Sequence, residues 1–201
     1  ETPWLETARG GDAEQPLINV LDPRTAAATR QQALGKLQKA QTSLGAFPWW
    51  PGGPPSPYMT LYILHGLAKA SEFGVEVPRE TVQRGWEYMA SYYRDELEEM
   101  MARNSGWELL TFLNYVASCY PDPGWVDEAL APAEREKILE FCFRHWRDHS
   151  PYLKGYLALT LARRGRAADA ALVWDSVMDA ARTSADEGTF WAPGERAWLW
   201  C

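Results

Sequence analysis

Apolar residues recur along this chain in two kinds of helical pattern, and the two kinds alternate. In the first kind the apolar side chains share one face, as in residues 79–101, where Val82, Trp86 and Met89 follow a helical stripe with Arg and Glu opposite. In the second kind nearly every side is apolar, as in residues 57–70, and such a helix must be buried over most of its surface. One-faced helices are predicted at 24–41, 79–101, 133–149 and 168–182, and helices apolar on nearly all sides at 57–70, 106–119, 151–163 and from 195 onward.

This alternation predicts an all-α fold built from antiparallel pairs of an inner, buried helix and an outer, amphipathic helix. The inner helices centre near residues 64, 112 and 157, and this spacing is close to that of HEAT-like repeats. Ser56-Pro57-Tyr58-Met59 recurs as Ser150-Pro151-Tyr152-Leu153, each time at the start of an inner helix.

Such pairs form either an open α-solenoid or an α/α toroid, in which they close into a ring. Because the inner helices are too apolar to line an exposed groove, we expect the toroid. About seven to eight helices are predicted, which complete only part of a ring.

The length of 201 residues suits one domain. We expect 1–201 to be a single, incomplete toroid domain of a larger chain, with 1–23 mostly loop because prolines and a Gly-Gly pair interrupt it. The run Ala-Trp-Leu-Trp-Cys at 197–201 carries no helix stop signal, which indicates that the sequence is cut within an element.

Charge excludes several classes of partner. The net charge is −7 and the longest basic run is Arg163-Arg164-Gly165-Arg166, so we expect no nucleic-acid binding. No apolar run approaches the ~20 residues that span a bilayer, so direct membrane insertion is not expected. The three cysteines are widely spaced and odd in number, which excludes a disulfide framework.

Tryptophan is the compositional anomaly, with 11 residues of this type in the chain. Six aromatic residues come from equivalent places in two repeats, in the loop that enters an inner helix or in its first turns: Trp49, Trp50, Tyr58, Tyr62, Trp191 and Trp198. In a toroid these loops gather at one end of the ring. The six residues then form either an aromatic mouth that binds a partner domain or shields a reactive group from water, or plugs that close the barrel.

The stretch from Leu37 to Leu67, which contains Gln-Thr-Ser-Leu-Gly-Ala-Phe-Pro-Trp-Trp-Pro-Gly-Gly and Ser-Pro-Tyr-Met-Thr-Leu-Tyr-Ile-Leu-His-Gly-Leu, resembles the thioester domain of bacterial α2-macroglobulins. These are large cell-envelope proteins related to complement C3. The opening Glu-Thr-Pro-Trp and the segments Gly-Thr-Phe-Trp-Ala-Pro and Trp-Leu-Trp near the end are also similar to that family. Terpene cyclases and prenyltransferase β subunits share only the short Gln-x-x-x-Gly-x-Phe pattern on a toroid, and their aspartate-rich and zinc motifs are missing here.

The resemblance implies protease trapping. A protease cleaves a bait region, the inhibitor rearranges, and a lysine of the protease attacks an internal Cys–Gln thioester by acyl transfer. That chemistry requires Cys-x-Glu-Gln, which this sequence lacks; its only echo is Gly-Asp-Ala-Glu-Gln at 11–15, with Asp12 at the cysteine position. We therefore expect the thioester to lie elsewhere in the parent protein or to have been lost, with Asp12 as the mark of a degenerate motif as the other reading.

Cys142, His145 and His149 are spaced by three and four residues, which would align them for a metal on one helical stripe. Ile138 and Cys142 belong to the buried stripe of that helix and no fourth ligand is apparent. A packed cysteine beside partly exposed histidines is the preferred interpretation, and no metal is expected.

Other candidate chemistry is weaker. His65, in an inner helix, is either a general base or a hydrogen-bonded core residue, and the second is preferred. Glu96, Glu98 and Glu99 are read as a solvated helix face, whereas Asp186 and Glu187, beside Phe190 and Trp191, could form the carboxylate pair of a toroidal glycoside hydrolase or lyase.

The sequence thus predicts a non-enzymatic module, without a cofactor, of an α2-macroglobulin-like protease inhibitor. Its expected partners are neighbouring domains of the parent chain and, through that parent, target proteases. The expected location is the cell envelope, periplasmic or extracellular. A toroidal carbohydrate-active enzyme and an α-solenoid interaction scaffold are the alternatives.

Overall fold

The computed structural model describes residues 23–191. The chain divides into two compact units, Glu1–Gln41 and Thr42–Cys201, and each is described by itself.

In the first unit, the described part is helix α1, Pro23–Ala40. Pro23 is its first residue, where the missing N–H is tolerated, and Lys39 lies in its last turn, where a cation is favourable. The bounds of α1 confirm the helix predicted at 24–41. None of its residues is buried, so the predicted buried face is not seen.

The second unit consists of helix pairs that end in a β-hairpin. Its elements are α2 (Pro57–Glu72), α3 (Arg79–Tyr92), α4 (Glu98–Ala102), α5 (Trp107–Ser118), α6 (Pro132–Arg144), α7 (Pro151–Arg163), α8 (Ala167–Asp179), β1 (Arg182–Ser184) and β2 (Gly188–Phe190). The strands are antiparallel, with Thr183 opposite Thr189.

The helices form an inner and an outer row. Inner helices α2, α5 and α7 pack side by side in that order, and α3, α6 and α8 each pack against the inner helix that precedes them. Ion pairs link the outer row, including Lys137 with Glu98 at 2.7 Å and Arg94 with Glu134 at 3.3 Å. The predicted all-α class is confirmed over the described residues, apart from the small two-stranded hairpin, and inner and outer helices alternate along the second unit.

The core lies between the two rows and is built from large side chains with almost no exposure, among them Leu61, Leu64, Trp86, Met89, Tyr93, Leu97, Leu110, Leu113, Ile138 and Leu161. The one-faced pattern of the third helix thus places Trp86 and Met89 in the core as predicted. Gly85 permits a close approach, because a Cβ there would lie 3.0 Å from the Leu64 side chain.

Three local features differ from the predictions. The helix predicted at 79–101 is interrupted by a π-helical turn at Tyr93–Leu97 that buries both of its end residues. The helix predicted at 133–149 ends at Arg144, and a 3₁₀ turn, Trp146–Asp148, follows it. Residues 182–190 form the hairpin, although the sequence pattern shows no sign of strands there.

Within residues 23–191, no helix has the length and apolar character needed to cross a membrane.

Candidate functional site

Aromatic rings from the loop before α2 and from the inner helices α2, α5 and α7 form one surface, here called the aromatic surface. Its members are Trp49, Tyr58, Tyr62, Phe112, Tyr152 and Tyr156, which are joined by ring contacts, and the neighbouring Trp50. Trp49 stacks on Tyr58 with ring centroids 5.6 Å apart, and Tyr58 stacks on Tyr62 at 6.3 Å. Phe112 continues the array, 5.8 Å from Tyr58 and 5.6 Å from Tyr156. Tyr152 closes it, 4.5 Å from Tyr156.

The two tryptophans of this array are presented by a rigid turn. The N–H of Gly53 donates to the carbonyl of Trp50 at 2.9 Å, with Pro51 and Gly52 as the central residues. Gly52 has φ +77°, which glycine adopts freely and which, after proline, is typical of a type II turn. The ring of Trp50 lies over Gly53, where a Cβ would come within 2.9 Å of it.

Buried hydrogen bonds fasten this loop to α2. The N–H of Phe47 donates to the Thr60 hydroxyl at 2.9 Å, and that hydroxyl donates to the Ser56 carbonyl at 2.7 Å. Phe47 and Ser56 also form a β-bridge, and Phe47 is buried. The residues on either side of the turn at 50–53 are therefore held in place by the bridge between Phe47 and Ser56.

The loop is also fastened to α3, through Gly45. Gly45 has φ +84°, and a Cβ there would overlap the carbonyl oxygen of Arg84. The Arg84 guanidinium in turn donates to the carbonyls of Thr42 at 2.8 Å and Ser43 at 3.2 Å. In the Gln-x-x-x-Gly-x-Phe pattern, the glycine and the phenylalanine thus position the loop that carries Trp49 and Trp50.

Much of the aromatic surface is open to solvent. The exposed fractions are 56% for Trp49, 60% for Trp50, 55% for Tyr62 and 60% for Tyr152. The expectation that the inner helices are buried over most of their surface therefore does not hold at Tyr62 of α2 and Tyr152 of α7. Tyrosine at these positions allows the exposure, because the edge with the hydroxyl can remain in water.

A groove of about 600 Å³ adjoins the aromatic surface at α7. Its walls come from α7, α8 and the hairpin, and are mainly apolar: Tyr152, Gly155, Tyr156, Leu159, Trp174, Val177, Phe190 and Trp191. Trp191 is fixed in this wall because its indole N–H donates to the Val177 carbonyl at 2.7 Å.

Burial favours the neutral form of two hydroxyls of the aromatic surface, those of Tyr58 and Tyr156. Burial raises the pKa of Tyr58, and proximity to Tyr152 and Tyr62 raises it further. Burial also raises the pKa of Tyr156, whose hydroxyl bonds to that of Tyr152. The array is thus an uncharged surface of rings with hydroxyl groups at their edges.

His65 lies behind this surface as a part-buried, hydrogen-bonded side chain, as preferred from the sequence. Its Nε2 is 3.4 Å from the Tyr115 hydroxyl, and its ring meets Tyr115 edge-on at 5.3 Å. Burial, followed by the nearby Lys69, lowers the pKa of His65, so the imidazole is neutral at pH 7. Burial raises the pKa of Tyr115 to about 12.

Cys119 and Cys142 are free, buried thiols. Cys119 lies 3.3 Å from the Arg163 guanidinium, and Arg163 also donates to Ser118 at 2.9 Å. Burial raises the pKa of Cys142 to about 12, so this thiol stays protonated.

Cys142, His145 and His149 are engaged separately. His145 stacks on Trp107 with ring centroids 5.1 Å apart, while His149 Nε2 is 2.8 Å from the Thr111 hydroxyl. His149 is buried rather than partly exposed as predicted, because the chain turns inward after α6 ends. Over residues 23–191, no group of three or more His, Cys, Asp and Glu side chains is placed to hold a metal ion.

The two acidic clusters lie at the surface. Glu98 pairs with Lys137, Glu99 pairs with Arg103, and all three glutamates of the first cluster are exposed, which confirms the predicted solvated face. Asp186 and Glu187 occupy the exposed turn of the hairpin. Neither contributes to the wall of the groove.

Of the six site residues predicted from sequence, the structure joins Trp49, Tyr58 and Tyr62 by stacking and places Trp50 in the adjoining turn. Trp191 belongs to the groove wall. Trp198 lies outside the described residues. Sequence reasoning missed Phe112, Tyr152 and Tyr156; the echo of Ser56-Pro57-Tyr58 at Ser150-Pro151-Tyr152 was the signal that could have indicated the last two.

Comparison with models of known protein families gave no match, and comparison with curated proteins gave no significant match.

Proposed function

We propose that this chain is a non-enzymatic module of a bacterial α2-macroglobulin-like protease inhibitor of the cell envelope, periplasmic or extracellular. In this proposal the end of the aromatic surface formed by Trp49, Trp50, Tyr58 and Tyr62 contacts a neighbouring domain of the parent protein. Target proteases meet the module through that parent. The proposal rests on the resemblance of residues 37–67 and on one structural observation, the exposure of large rings on a rigid support.

Contiguous exposed apolar surface is typical of protein interfaces. Tryptophan and tyrosine are enriched among the residues that dominate binding energy, and they bury a large area for few rotatable bonds. Trp49 is already ordered by stacking on Tyr58, and Trp50 by the turn at 50–53. Docking would therefore cost little conformational entropy at these two residues.

The chemistry of the surface favours contact over catalysis. Burial raises the pKa of Tyr58, and the nearby His65 is engaged by Tyr115. An uncharged aromatic surface suits an apolar partner domain, or the shielding of a thioester from water in the parent protein.

The finer fold belongs to the same proposal. We propose that the helix pairs continue into an α/α toroid, of which α2 to α8 are a part. The inner helices α2, α5 and α7 pack side by side, and each outer helix packs against the inner helix that precedes it. This arrangement supports a ring, and it is also compatible with an α-solenoid scaffold. Small-angle scattering on the full-length parent protein distinguishes a compact ring domain from an extended row.

Protease trapping by the full-length parent protein tests the functional proposal. The wild-type protein is expected to retain a protease that has cleaved it, so that hydrolysis of a large protein substrate falls while hydrolysis of a small peptide continues. The double variant Trp49→Ala/Trp50→Ala is expected to lose most of this difference, because the domain contact that positions the module is lost.

Phe73→Ala is the matched control. Phe73 is an exposed aromatic residue (85%) at the other end of α2, away from the aromatic surface, so trapping should be unchanged. Absence of trapping by the wild-type protein contradicts the proposed family function. Trapping that survives the double variant contradicts the assignment of the contact surface.

A further inference from the structure

A second pocket, here called the arginine pocket, lies in the outer row of helices and shares no residue with the aromatic surface. Its volume is about 430 Å³, which is within the range of small-molecule sites. Its wall is formed by α6, by the 3₁₀ turn that follows α6 and by α8, through Glu140, Phe143, Arg144, Trp146, Arg147 and Leu172. Half of these residues are apolar and half are charged.

The two aromatic rings of the arginine pocket are held in place by guanidinium groups. The Arg166 guanidinium carbon lies 4.8 Å from the centroid of the Phe143 ring, and that of Arg147 lies 5.0 Å from the centroid of the Trp146 ring. Arg166 is itself fixed by an ion pair with Asp169 at 2.7 Å. The rings therefore offer an ordered apolar wall to a ligand.

The two arginines of the wall keep their charge available. Arg144 and Arg147 are exposed, and within residues 23–191 neither of them pairs with a carboxylate. Lys137, on the same helix as Arg144, instead pairs with Glu98 at 2.7 Å. A guanidinium that stacks on a ring, as Arg147 does, still has its N–H edge free to bind an anion.

The carboxylate of the wall, Glu140, is engaged by a residue outside the pocket. Arg166 donates to it at 2.5 Å. Two arginines and one glutamate give the wall a net positive charge, although the whole chain has a net charge of −7. An anionic ligand therefore finds complementary charge in this pocket.

We propose that the arginine pocket binds an organic carboxylate. Arg144 and Arg147 bind the carboxylate group, because a guanidinium can donate two parallel hydrogen bonds to it. Phe143, Trp146 and Leu172 contact an aromatic or branched apolar group of the same molecule. This chemistry is shared by a free carboxylic acid and by the last residue of a peptide. The inference does not depend on the proposed function, because it uses no residue of the aromatic surface.

Titration of the full 201-residue chain with 3-phenylpropionate, followed by NMR, tests this proposal. The indole N–H signal of Trp146 is the probe, and it is assigned by its loss in Trp146→Phe. We expect this signal to shift with a Kd of about 1 mM or lower. 3-Phenylpropionamide lacks the charge and acetate lacks the ring, so neither should shift it at the same concentration.

Three variants alter the wall at exposed positions. Arg144→Gln and Arg147→Gln are each expected to raise the Kd at least roughly tenfold, because each removes a charge-assisted hydrogen bond to the ligand. Leu172→Glu should abolish binding, because it brings a second carboxylate into the apolar part of the wall. The amide signals of α5 show whether each variant remains folded.

Arg164→Gln is the matched control. It also removes one positive charge, but Arg164 pairs with Glu136 at 3.2 Å and lies outside the wall of the pocket. The Kd should therefore change by less than about twofold, because a charge outside the pocket acts only through screened solvent.

The peptide N-acetyl-Gly-Gly-Phe, used as the acid and as the amide, distinguishes the two sources of the carboxylate. If the peptide acid binds more tightly than 3-phenylpropionate, the pocket receives the end of a peptide chain. If it binds more weakly, the pocket receives a free acid. Both results support the proposal.

Absence of a shift with both acids overturns the proposal. So does an equal shift with the amides, since the arginines then have no role, or with acetate or inorganic phosphate, since the rings then have no role. Binding that survives all three wall variants, or that Arg164→Gln weakens as much as they do, likewise overturns it.

Discussion

Gly45 is constrained in two ways at once, by its positive φ and by the carbonyl of Arg84. We expect Gly45→Ala to lower the free energy of unfolding by about 3 kcal/mol, combining the left-handed backbone penalty with a steric clash. Urea unfolding measures the change.

Gly52→Ala separates the two effects, because Gly52 shares the positive φ but has nothing within 4 Å of a Cβ. Its expected loss is only about 1 kcal/mol. Equal losses at the two glycines would contradict the role given to the contact with Arg84.

His149 makes stability depend on pH. Burial, followed by the nearby His145, lowers its pKa to about 4 from an ordinary value near 6.5. The folded state therefore disfavours the charged imidazole, and the stabilisation is complete above about pH 6.5 and is lost as the pH falls towards 4. Between pH 7.5 and 4.5 this single group should lower the free energy of unfolding by about 2 to 3 kcal/mol.

The measurement is urea unfolding of the wild type and of His149→Gln at both pH values. Glutamine does not titrate and can still bond to Thr111, so the difference between the proteins isolates the histidine. A variant with the same pH dependence as the wild type would contradict this assignment.

At the scale of elements, the entry into α2 depends on Thr60, whose hydroxyl accepts from the Phe47 N–H and is fully buried. We expect Thr60→Val to cost about 2 kcal/mol, because it leaves a buried N–H without an acceptor. Thermal or urea unfolding measures this loss.

Thr160→Val provides the comparison within α7. Thr160 is equally buried, but its hydroxyl donates only to the Tyr156 carbonyl of its own helix, 2.8 Å away. A loss below about 1 kcal/mol is expected there. If Thr160→Val costs as much as Thr60→Val, the bond to Phe47 does not fasten the loop as argued.

The sequence predicted the longer helices well because each of them, from the 12 residues of α5 upwards, has at least three turns. It missed the π-helical turn at Tyr93–Leu97, because the four-residue spacing between these two buried residues fits one turn of an α-helix as well as one turn of a π-helix. It missed the hairpin because strands of three residues, as at Arg182–Ser184, are too short to show alternation.

The candidate site was predicted less completely. The loop residues Trp49 and Trp50 were found because they lie in a loop that enters an inner helix, at a place equivalent to that of Trp191 in a second repeat. The exposure of Tyr62 and Tyr152 was missed, because a pattern of residue types does not distinguish a ring packed by its neighbours from a ring with one open face. Tertiary packing decides that difference.

At the scale of the whole molecule, the position of the two carboxylates in the hairpin turn leads to a prediction about enzymatic activity. Asp186 and Glu187 lie in an exposed turn and not in an enclosed cleft that could hold a sugar chain between them. We expect the purified chain to release no reducing sugar from polysaccharides and to leave trypsin activity unchanged.

Asp186→Asn/Glu187→Gln serves as the control for any hydrolysis that is observed. Hydrolysis that disappears in this variant would replace the proposed binding role with the carbohydrate-active alternative. Hydrolysis that persists in it would indicate a different site.

The burial of both described cysteines has a consequence for the conditions under which this protein can fold. Cys119 and Cys142 are 4% and 1% exposed, so neither sulfur can reach an oxidant or a foreign thiol unless the helices separate. Both thiols are free in the folded protein, so no disulfide between them contributes to the core between the helix rows. Recombinant protein made in a reducing compartment should therefore have the same core as protein made in an oxidising one.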